Sequence, residues 1–388
     1  MGFILFISTF TALYGTIHFY AFMKAKKAFS VGPVPGLLLV FFMLVMVFSP
    51  IIVRLSESSG YDQFAKATAH IGYSWMGFLF LFVCACLFID AFALVVHLVR
   101  IVFNKNLSAL VISSRPAFVA ALSVAVLTGA YGFFEALEIK TEHITIATPK
   151  FPPMRRPLRI VQISDVHLGV IVREFRLGKI LSKVKAASPD LLVSTGDLVD
   201  GQTDNMTGAM EMLREIQPQY GKFAVMGNHE FYAGADLSMN FMTDAGFTVL
   251  RGEGRVIGNL INVAGLDDPA GSGSGLSNKD HERGLLFKLQ QDKFTVLLKH
   301  RPVVEKDALG LFDLQLSGHA HKGQIFPFTI LVRLFFPMIS GLYDLPSGSF
   351  LYVNRGSGTW GPPIRVMCSP EVTVIDIVPK RTHSALSR

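Results

Sequence analysis

Five short motifs in the C-terminal half of this 388-residue chain gather the side chains that hold cations. In order they are Asp165-Val166-His167, Gly196-Asp197-Leu198-Val199-Asp200, Gly227-Asn228-His229-Glu230, Lys299-His300 and Gly318-His319-Ala320-His321. They offer carboxylates, imidazoles and one amide, with no thiolate, the ligand set that hard or borderline divalent metals favour. Cations held there would polarise an anionic substrate and activate water. Each motif alone is weak. Asp-x-His is common by chance, and Gly-Asp-x-x-Asp reads equally well as a turn with a helix cap. Gly-Asn-His-Glu is more specific, and Gly-His-x-His moderately so. All five in order, mostly just after strand-like runs, argue for one constructed site.

The elements that must carry these motifs are legible from residue 140 onward. Leu158–Ile163, Leu191–Ser194, Phe223–Met226, Ile261–Ala264 and Phe294–Leu298 are short apolar runs that read as buried strands, followed by Phe350–Val353 and Val372–Val378. Residues 176–187 read as an amphipathic helix. Strands alternating with helical segments predict an α/β domain. Ligands at strand ends would then converge on the carboxyl edge of a sheet, where open α/β folds bind their ligands. In Asp165-Val166-His167 the alternation of an extended strand predicts both outer side chains on one face. The run Gly271–Gly275, glycine alternating with serine, predicts a surface loop.

The chain's mean hydropathy of +0.43 and 51% hydrophobic content are high for a water-soluble enzyme, so apolar residues must be concentrated somewhere. They lie mostly before residue 138. Residues 2–23 form an apolar run of about 33 Å as a helix, enough for a hydrocarbon core of about 30 Å. The run lacks the basic start of a signal peptide. Further spans are predicted near 31–53, within 71–103, where a re-entrant pair could hide, and over 117–137. This gives four spanning helices in region 1–139 and a catalytic domain over 140–388. Lys24, Lys26 and Lys27 follow the first span, and Arg100, Lys105 and Arg115 follow the third. Only Arg54 and Lys66 follow the second. The positive-inside rule then predicts a multi-pass protein of the inner membrane with the catalytic domain extracytoplasmic. Arg155, Arg156 and Arg159, shortly after the fourth span, pull the other way.

The net charge of +7 comes from scattered residues and reads as membrane-flanking anchors plus a mildly basic surface; no nucleic acid partner is expected. Cys84, Cys86 and Cys368 form neither a disulfide framework nor a zinc motif. Asp90 and His97 are seven residues apart, on one helical face. They are either an intramembrane functional pair or interfacial residues where the third span ends. The apolar run 325–339 is too short, and too broken by Pro327, Arg333 and Pro337, to span. It reads either as a membrane or acyl-chain contact beside the site or as a buried connection.

With its five motifs complete, the region of about 155–378 resembles the calcineurin-like metallophosphoesterases. The likeness extends to membrane-anchored bacterial members through Val263-Ala264-Gly265-Leu266-Asp267-Asp268 and the tail Tyr352–Gly361. The resemblance implies a four-layer α/β/β/α sandwich and two divalent metal ions, with Mn, Fe or Zn all compatible with the ligand types. Carried over by motif, Asp165, His167, Asp197 and His321 would hold one ion and Asp197, Asn228, His300 and His319 the other, with Asp197 shared. Such ions, roughly 3.5–4 Å apart, clamp the attacking and leaving oxygens of a displacement and acidify water. His229 would be the general acid for the leaving group. Asp200 and Glu230 would orient the ligands. The chain departs from the pattern after the last histidine. Two glycines and a glutamine are usual there, but this chain has Lys322-Gly323-Gln324. Lys322 either meets a substrate phosphate or points to solvent, and Arg355 is a second candidate phosphate contact.

The expected activity is hydrolysis of a phosphodiester or pyrophosphate, with a phosphorylated substrate carried on a lipid or envelope component and the bilayer as neighbour. The resemblance also admits a pyrophosphatase for a UDP-diacylglucosamine-type lipid, which needs a cytoplasmic site. A membrane sensor that binds phosphate without turnover is a third reading, disfavoured by the complete ligand set. A protein phosphatase is disfavoured because no peptide-binding feature is visible.

Overall fold

The computed structural model describes residues 2–154, 156–201, 206–271 and 278–380. Residues 272–275 of the expected glycine–serine loop, and Arg155, lie outside the described residues. The chain divides into two compact units, Met1–Phe134 with Gly361–Val366, and Glu135–Trp360 with Met367–Arg388.

The first unit is helical: α1 (Gly2–Phe29), α2 (Pro33–Ser58), α3 (Asp62–Phe103) and most of α4 (Ser114–Leu137). Among the described residues, α2, α3 and α4 are long and apolar enough to cross a membrane. Their outward faces carry Leu37, Phe88 and Leu127, all strongly exposed. Helices apolar on every side suit lipid rather than water. Pro33 starts α2, where its missing N–H costs nothing. The third apolar stretch is one unbroken helix, not a re-entrant pair, and it begins nine residues earlier than expected because the polar start Asp62–His70 is helical too. Small residues let the helices approach: a Cβ on Gly72 would lie 2.4 Å from Ser49 Oγ. Asp90 does not pair with His97, which is exposed. It accepts hydrogen bonds from Tyr20 at 2.7 Å and from Lys24, tying α3 to α1.

The second unit is built on β1 (Lys140–Thr148), β2 (Leu158–Ile163), α5 (Glu174–Ala187), β3 (Leu191–Ser194), α6 (Thr207–Arg214), β4 (Lys222–Ala224), α7 (Asn228–Ala233), α8 (Ala235–Asp244), β5 (Thr248–Val249), β6 (Glu253–Ile257), β7 (Ile261–Leu266), α9 (Asn278–Phe287), β8 (Phe294–Lys299), β9 (Leu314–Ser317), α10 (Phe328–Phe335), β10 (Gly341–Asp344), β11 (Phe350–Val353) and β12 (Glu371–Pro379). Two six-stranded sheets result, ordered β1-β12-β2-β3-β4-β5 and β10-β11-β9-β8-β7-β6. The strands β2 to β5 run parallel, as do β7, β8, β9 and β11.

Strand alternation explains the layers. On β2, Leu158 and Ile160 face a core shared with Val263, Val296, Leu298, Leu314 and Leu316 of the other sheet. One residue out of phase, Val161 and Ile163 face Leu177, Ile180 and Val184 of α5. On the far side, Ala264 and Leu297 meet Leu286 of α9. The result is the α/β domain that the strand pattern predicts, in the four-layer α/β/β/α form that the resemblance implied. The expected strand at 223–226 is instead 222–224, and β1, β5, β6, β9 and β10 were not foreseen. In β9 the run Leu314-Gln315-Leu316-Ser317 lacks apolar continuity, yet Gln315 is wholly buried, its amide donating to Ser317 Oγ at 3.0 Å.

Candidate metal centre

All five motifs lie at or just beyond the carboxyl ends of parallel strands, β2, β3 and β4 in one sheet and β8 and β9 in the other, with Asn228, His229 and Glu230 forming the first turn of α7. Their ligand-type atoms meet. His167 Nε2 is 3.0 Å from His321 Nε2, which is 3.3 Å from Asp165 Oδ1. Asp197 Oδ2 is 3.1 Å from His300 Nε2. The same His300 nitrogen is 3.2 Å from Asn228 Oδ1 and 3.0 Å from His319 Nδ1. Asp165, His167 and His321, then His167, Asp197 and His229, then Asp197, His300 and His319 form three overlapping groups, each with ligand atoms within 4.8 Å of one another. Asp165, His167, Asp197, Asn228, His300 and His321 are buried.

The glycines of the motifs have a steric reason. A Cβ on Gly227 would sit 2.2 Å from Asp197 Oδ1, and one on Gly318 would sit 2.1 Å from Asp165 Oδ2. Backbone strain also concentrates here. Asp165, His167, Asp197, His319 and His321 all have φ between 45° and 67°, the left-handed region that side chains with a Cβ rarely adopt. This corrects the expectation for Asp165-Val166-His167: the motif lies past the end of β2, so left-handed turns, not strand alternation, aim its two side chains.

A hydrogen-bond frame holds the carboxylates. Asp165 accepts from the His319 N–H at 3.0 Å and from Ser164 Oγ at 2.5 Å. Asp197 Oδ1 accepts the His229 N–H at 2.9 Å. Glu230, fully buried, accepts three backbone N–H groups: Gly227 at 2.7 Å, Asp197 at 2.9 Å and Val199 at 3.0 Å. It ties the second motif to the third. His229 Nδ1 is hydrogen-bonded to Asp200 Oδ1.

The donor set fits a cation. Burial alone would raise the Asp165 and Asp197 carboxyls, but neighbouring imidazoles outweigh it and hold both well below the usual carboxylate range. Burial would depress His300, yet Asp197 lifts it to about 10. His319, half-buried beside His300, is pushed down to about 3 by partial burial and by its charged neighbour. Ionised carboxylates and imidazole nitrogens thus converge on common points, and a proton can bridge only one such pair at a time. Divalent ions satisfy several at once.

Arg355, an expected phosphate contact, is engaged elsewhere. Its guanidinium lies 2.5 Å from both Glu371 and Glu142, joining β12 to β1. Lys322 is half-buried with a left-handed backbone (φ 50°), a conformation that suits the glycine usual there. Some partners were not foreseen. Ser164 precedes the first motif with no pattern to mark it. The bidentate Arg301–Asp268 pair, at 2.7 and 2.9 Å, fixes the turn after His300. Gln324 and Trp360 stood in the conspicuous tail segments, but their contact joins residues 36 apart and left no sequence trace.

A metal centre of carboxylates, imidazoles and one amide on a four-layer α/β/β/α sandwich defines a class, the metal-dependent phosphoric ester hydrolases. The model of the calcineurin-like phosphoesterase family matches residues 158–323. An uncharacterized metallophosphoesterase of Aquifex aeolicus is 41% identical over 256 residues, covering 66% of this chain and 97% of that protein. The metallophosphoesterase YkuE of Bacillus subtilis is 34% identical, covering 66% and 93%. A transmembrane protein with metallophosphoesterase domain from Danio rerio is 32% identical, covering 66% of this chain and 62% of its own length. The chain belongs to the calcineurin-like metallophosphoesterases, which use divalent metals, and its apolar helices mark it as a membrane protein.

Proposed function

We propose that this protein is a membrane-bound hydrolase that uses two metal ions to cleave a phosphodiester or pyrophosphate bond on a lipid- or envelope-linked substrate. The observation that carries this reading is the overlap of the three ligand groups through Asp197 and His167, which makes one continuous site rather than separate ones. Asp165, His167, Asp197 and His321 would hold one ion, and Asp197, Asn228, His300 and His319 the other. Bound Mn, Fe or Zn would supply Lewis-acid polarisation of the phosphoryl oxygens and activation of water near neutral pH.

The chain's own residues do the rest. His229 stands beside the ligands and presents its imidazole to the leaving group. Burial lowers its affinity for a proton, but the Asp200 and Asp197 carboxylates more than compensate, raising it to about 9, so it carries the proton a leaving oxygen needs. Asp200, bonded to Nδ1, fixes which ring nitrogen faces the substrate. Lys322 is the remaining candidate cation for a non-transferred phosphate.

The lipid-linked part of the reading is supported by the membrane helices and by α10. Not one residue of α10 is buried, and Leu334 and Phe335 are 74% and 78% exposed. Its neighbour Phe336 packs edge-on to His319 at 5.2 Å between ring centroids, so an apolar surface adjoins the polar site. That pairing suits a substrate with a phosphate and a hydrocarbon part. The loop charges favour an extracytoplasmic site in the inner membrane. A reporter fused after Arg388 and active only in the cytoplasm would reverse that assignment.

Hydrolysis of bis-p-nitrophenyl phosphate and of p-nitrophenyl phosphate by the full-length protein with added Mn²⁺ tests the activity. We expect turnover of the diester, lost in Asn228→Ala and strongly reduced in His229→Ala. Undiminished turnover in Asn228→Ala would remove the second ion from the account.

A further inference from the structure

The connection between β11 and β12 braces the ligands of one ion. The Ser357 and Gly358 N–H groups donate to Ser164 O at 2.7 Å and to Asp165 O at 3.0 Å. A Cβ on Gly358 would lie 1.9 Å from Val166 O, so this close approach requires glycine. Further along, the buried Cys368 thiol donates to His321 O at 2.8 Å. Asp165 and His321 belong to the same ligand group, with His167.

Glu135, in the last turn of α4, holds Cys368 in place. Its Oε2 accepts the Met367 N–H at 2.8 Å, and its Oε1 accepts the Cys368 N–H at 2.8 Å and the Ser369 hydroxyl at 3.0 Å. Glu135, Met367, Cys368, Ser369 and His321 all lie within the second unit. Glu135 is buried, and a carboxylate binds such donors more strongly than a neutral acceptor does. Met367 is left-handed at φ 57° while its side chain is 64% exposed, so packing does not demand that backbone. The turn instead presents two consecutive N–H groups to one carboxylate.

We propose that Glu135 is a positioning residue for the metal centre: through Cys368 it fixes His321 at the ion shared with Asp165 and His167. The last turn of a membrane helix thereby becomes part of the metal site. His321 needs such support. Its backbone is left-handed at φ 45°, a conformation that persists only where the surroundings over-determine it. Two donors on its carbonyl, the Gln324 N–H at 2.9 Å and the Cys368 thiol, supply that constraint. The thiol points there because Glu135 fixes the backbone on either side of it. The inference rests on the two-ion reading, since it assigns Glu135 to one ion and not the other.

Full-length protein in detergent, stripped of metal with a chelator, is titrated with Mn²⁺, and the free ion is read by electron paramagnetic resonance. The wild type should bind in two steps. Glu135→Gln turns an amide NH₂ toward the tail's own N–H groups. One step should weaken roughly 10- to 100-fold, the loss usual when a residue that orients a metal ligand is replaced, while the other step holds. Cys368→Ala should weaken the same step. Cys368→Ser should restore it, because 2.8 Å suits a hydroxyl donor. In His321→Ala, where that step is already impaired, adding Glu135→Gln should cost nothing more, because the two residues act in series. Equal weakening of both steps, unchanged binding in Glu135→Gln and Cys368→Ala, or a Cys368→Ser protein as weak as Cys368→Ala would overturn the proposal. If Glu135→Gln does not fold, the Cys368 pair decides alone. A wild type with a single step would refute the two-ion reading; the positioning role then stands if Cys368→Ala weakens that step and Cys368→Ser restores it, and falls if they do not. A wild type that takes up no Mn²⁺ would overturn both.

Discussion

Glu230 accepts the backbone N–H of Asp197 at 2.9 Å, so a residue that need touch no metal determines where the shared ligand sits. The same carboxylate receives the N–H groups of Val199 and Gly227. Glu230→Gln replaces one acceptor oxygen with a donor that faces those N–H groups. The expected loss is about 1–3 kcal/mol of stability, read as a lower melting temperature, together with weaker metal retention. A variant that melts and holds metal like the wild type would show the frame to be dispensable.

Asp200 controls the proton on His229. Its carboxylate favours the imidazolium, so the protonated form persists to about pH 9 and the rate should fall only above that. Asp200→Asn removes the charge. The affinity of His229 for its proton then drops, and the alkaline limb of the kcat–pH profile should move down by roughly one unit or more. The pH dependence of diester hydrolysis at saturating Mn²⁺ checks this, and an unmoved limb would assign the acid to another group.

Much of this centre was legible before any coordinates. Ligand types and their order after strand-like runs were enough to nominate Asp165, His167, Asp197, Asn228, His300, His319 and His321, because motif and context are both local. Legibility stopped where partners are distant in sequence. Arg355 looked like a free cation until Glu371 and Glu142 were brought to it by β12 and β1. Gln324 and Trp360 carry no mutual pattern. The left-handed turns at Asp165 and His167 were hidden because residues with a Cβ seldom adopt them, so the motif was read as an extended strand. Strand β9 escaped because a buried glutamine interrupts its apolar run.

Lys322 occupies a left-handed position at a cost of about 1–2 kcal/mol. Lys322→Gly relieves that strain, against about 0.5–1 kcal/mol of added backbone entropy in the unfolded chain. The melting temperature should therefore hold or rise slightly. If the ammonium meets a substrate phosphate, KM for a pyrophosphate substrate should rise at the same time. A rise in stability with KM unchanged would make the lysine a solvent-facing residue.

Helix α10 offers a test of the lipid-linked reading. Leu334→Glu combined with Phe335→Glu alters two exposed side chains and should leave hydrolysis of bis-p-nitrophenyl phosphate intact. For an acyl-chain phosphodiester in mixed micelles, KM should rise at least about tenfold, the equivalent of losing one buried Leu or Phe contact. Equal effects on both substrates would remove α10 from substrate recognition.

The central claim is that seven side chains from five motifs hold a pair of cations through a shared Asp197. Metal content of the purified full-length protein, measured by inductively coupled plasma mass spectrometry after dialysis against Mn²⁺, tests it most directly. The account predicts two ions per chain in the wild type and fewer than one in Asp197→Ala. A single ion or none in the wild type, or two ions retained in Asp197→Ala, would contradict it.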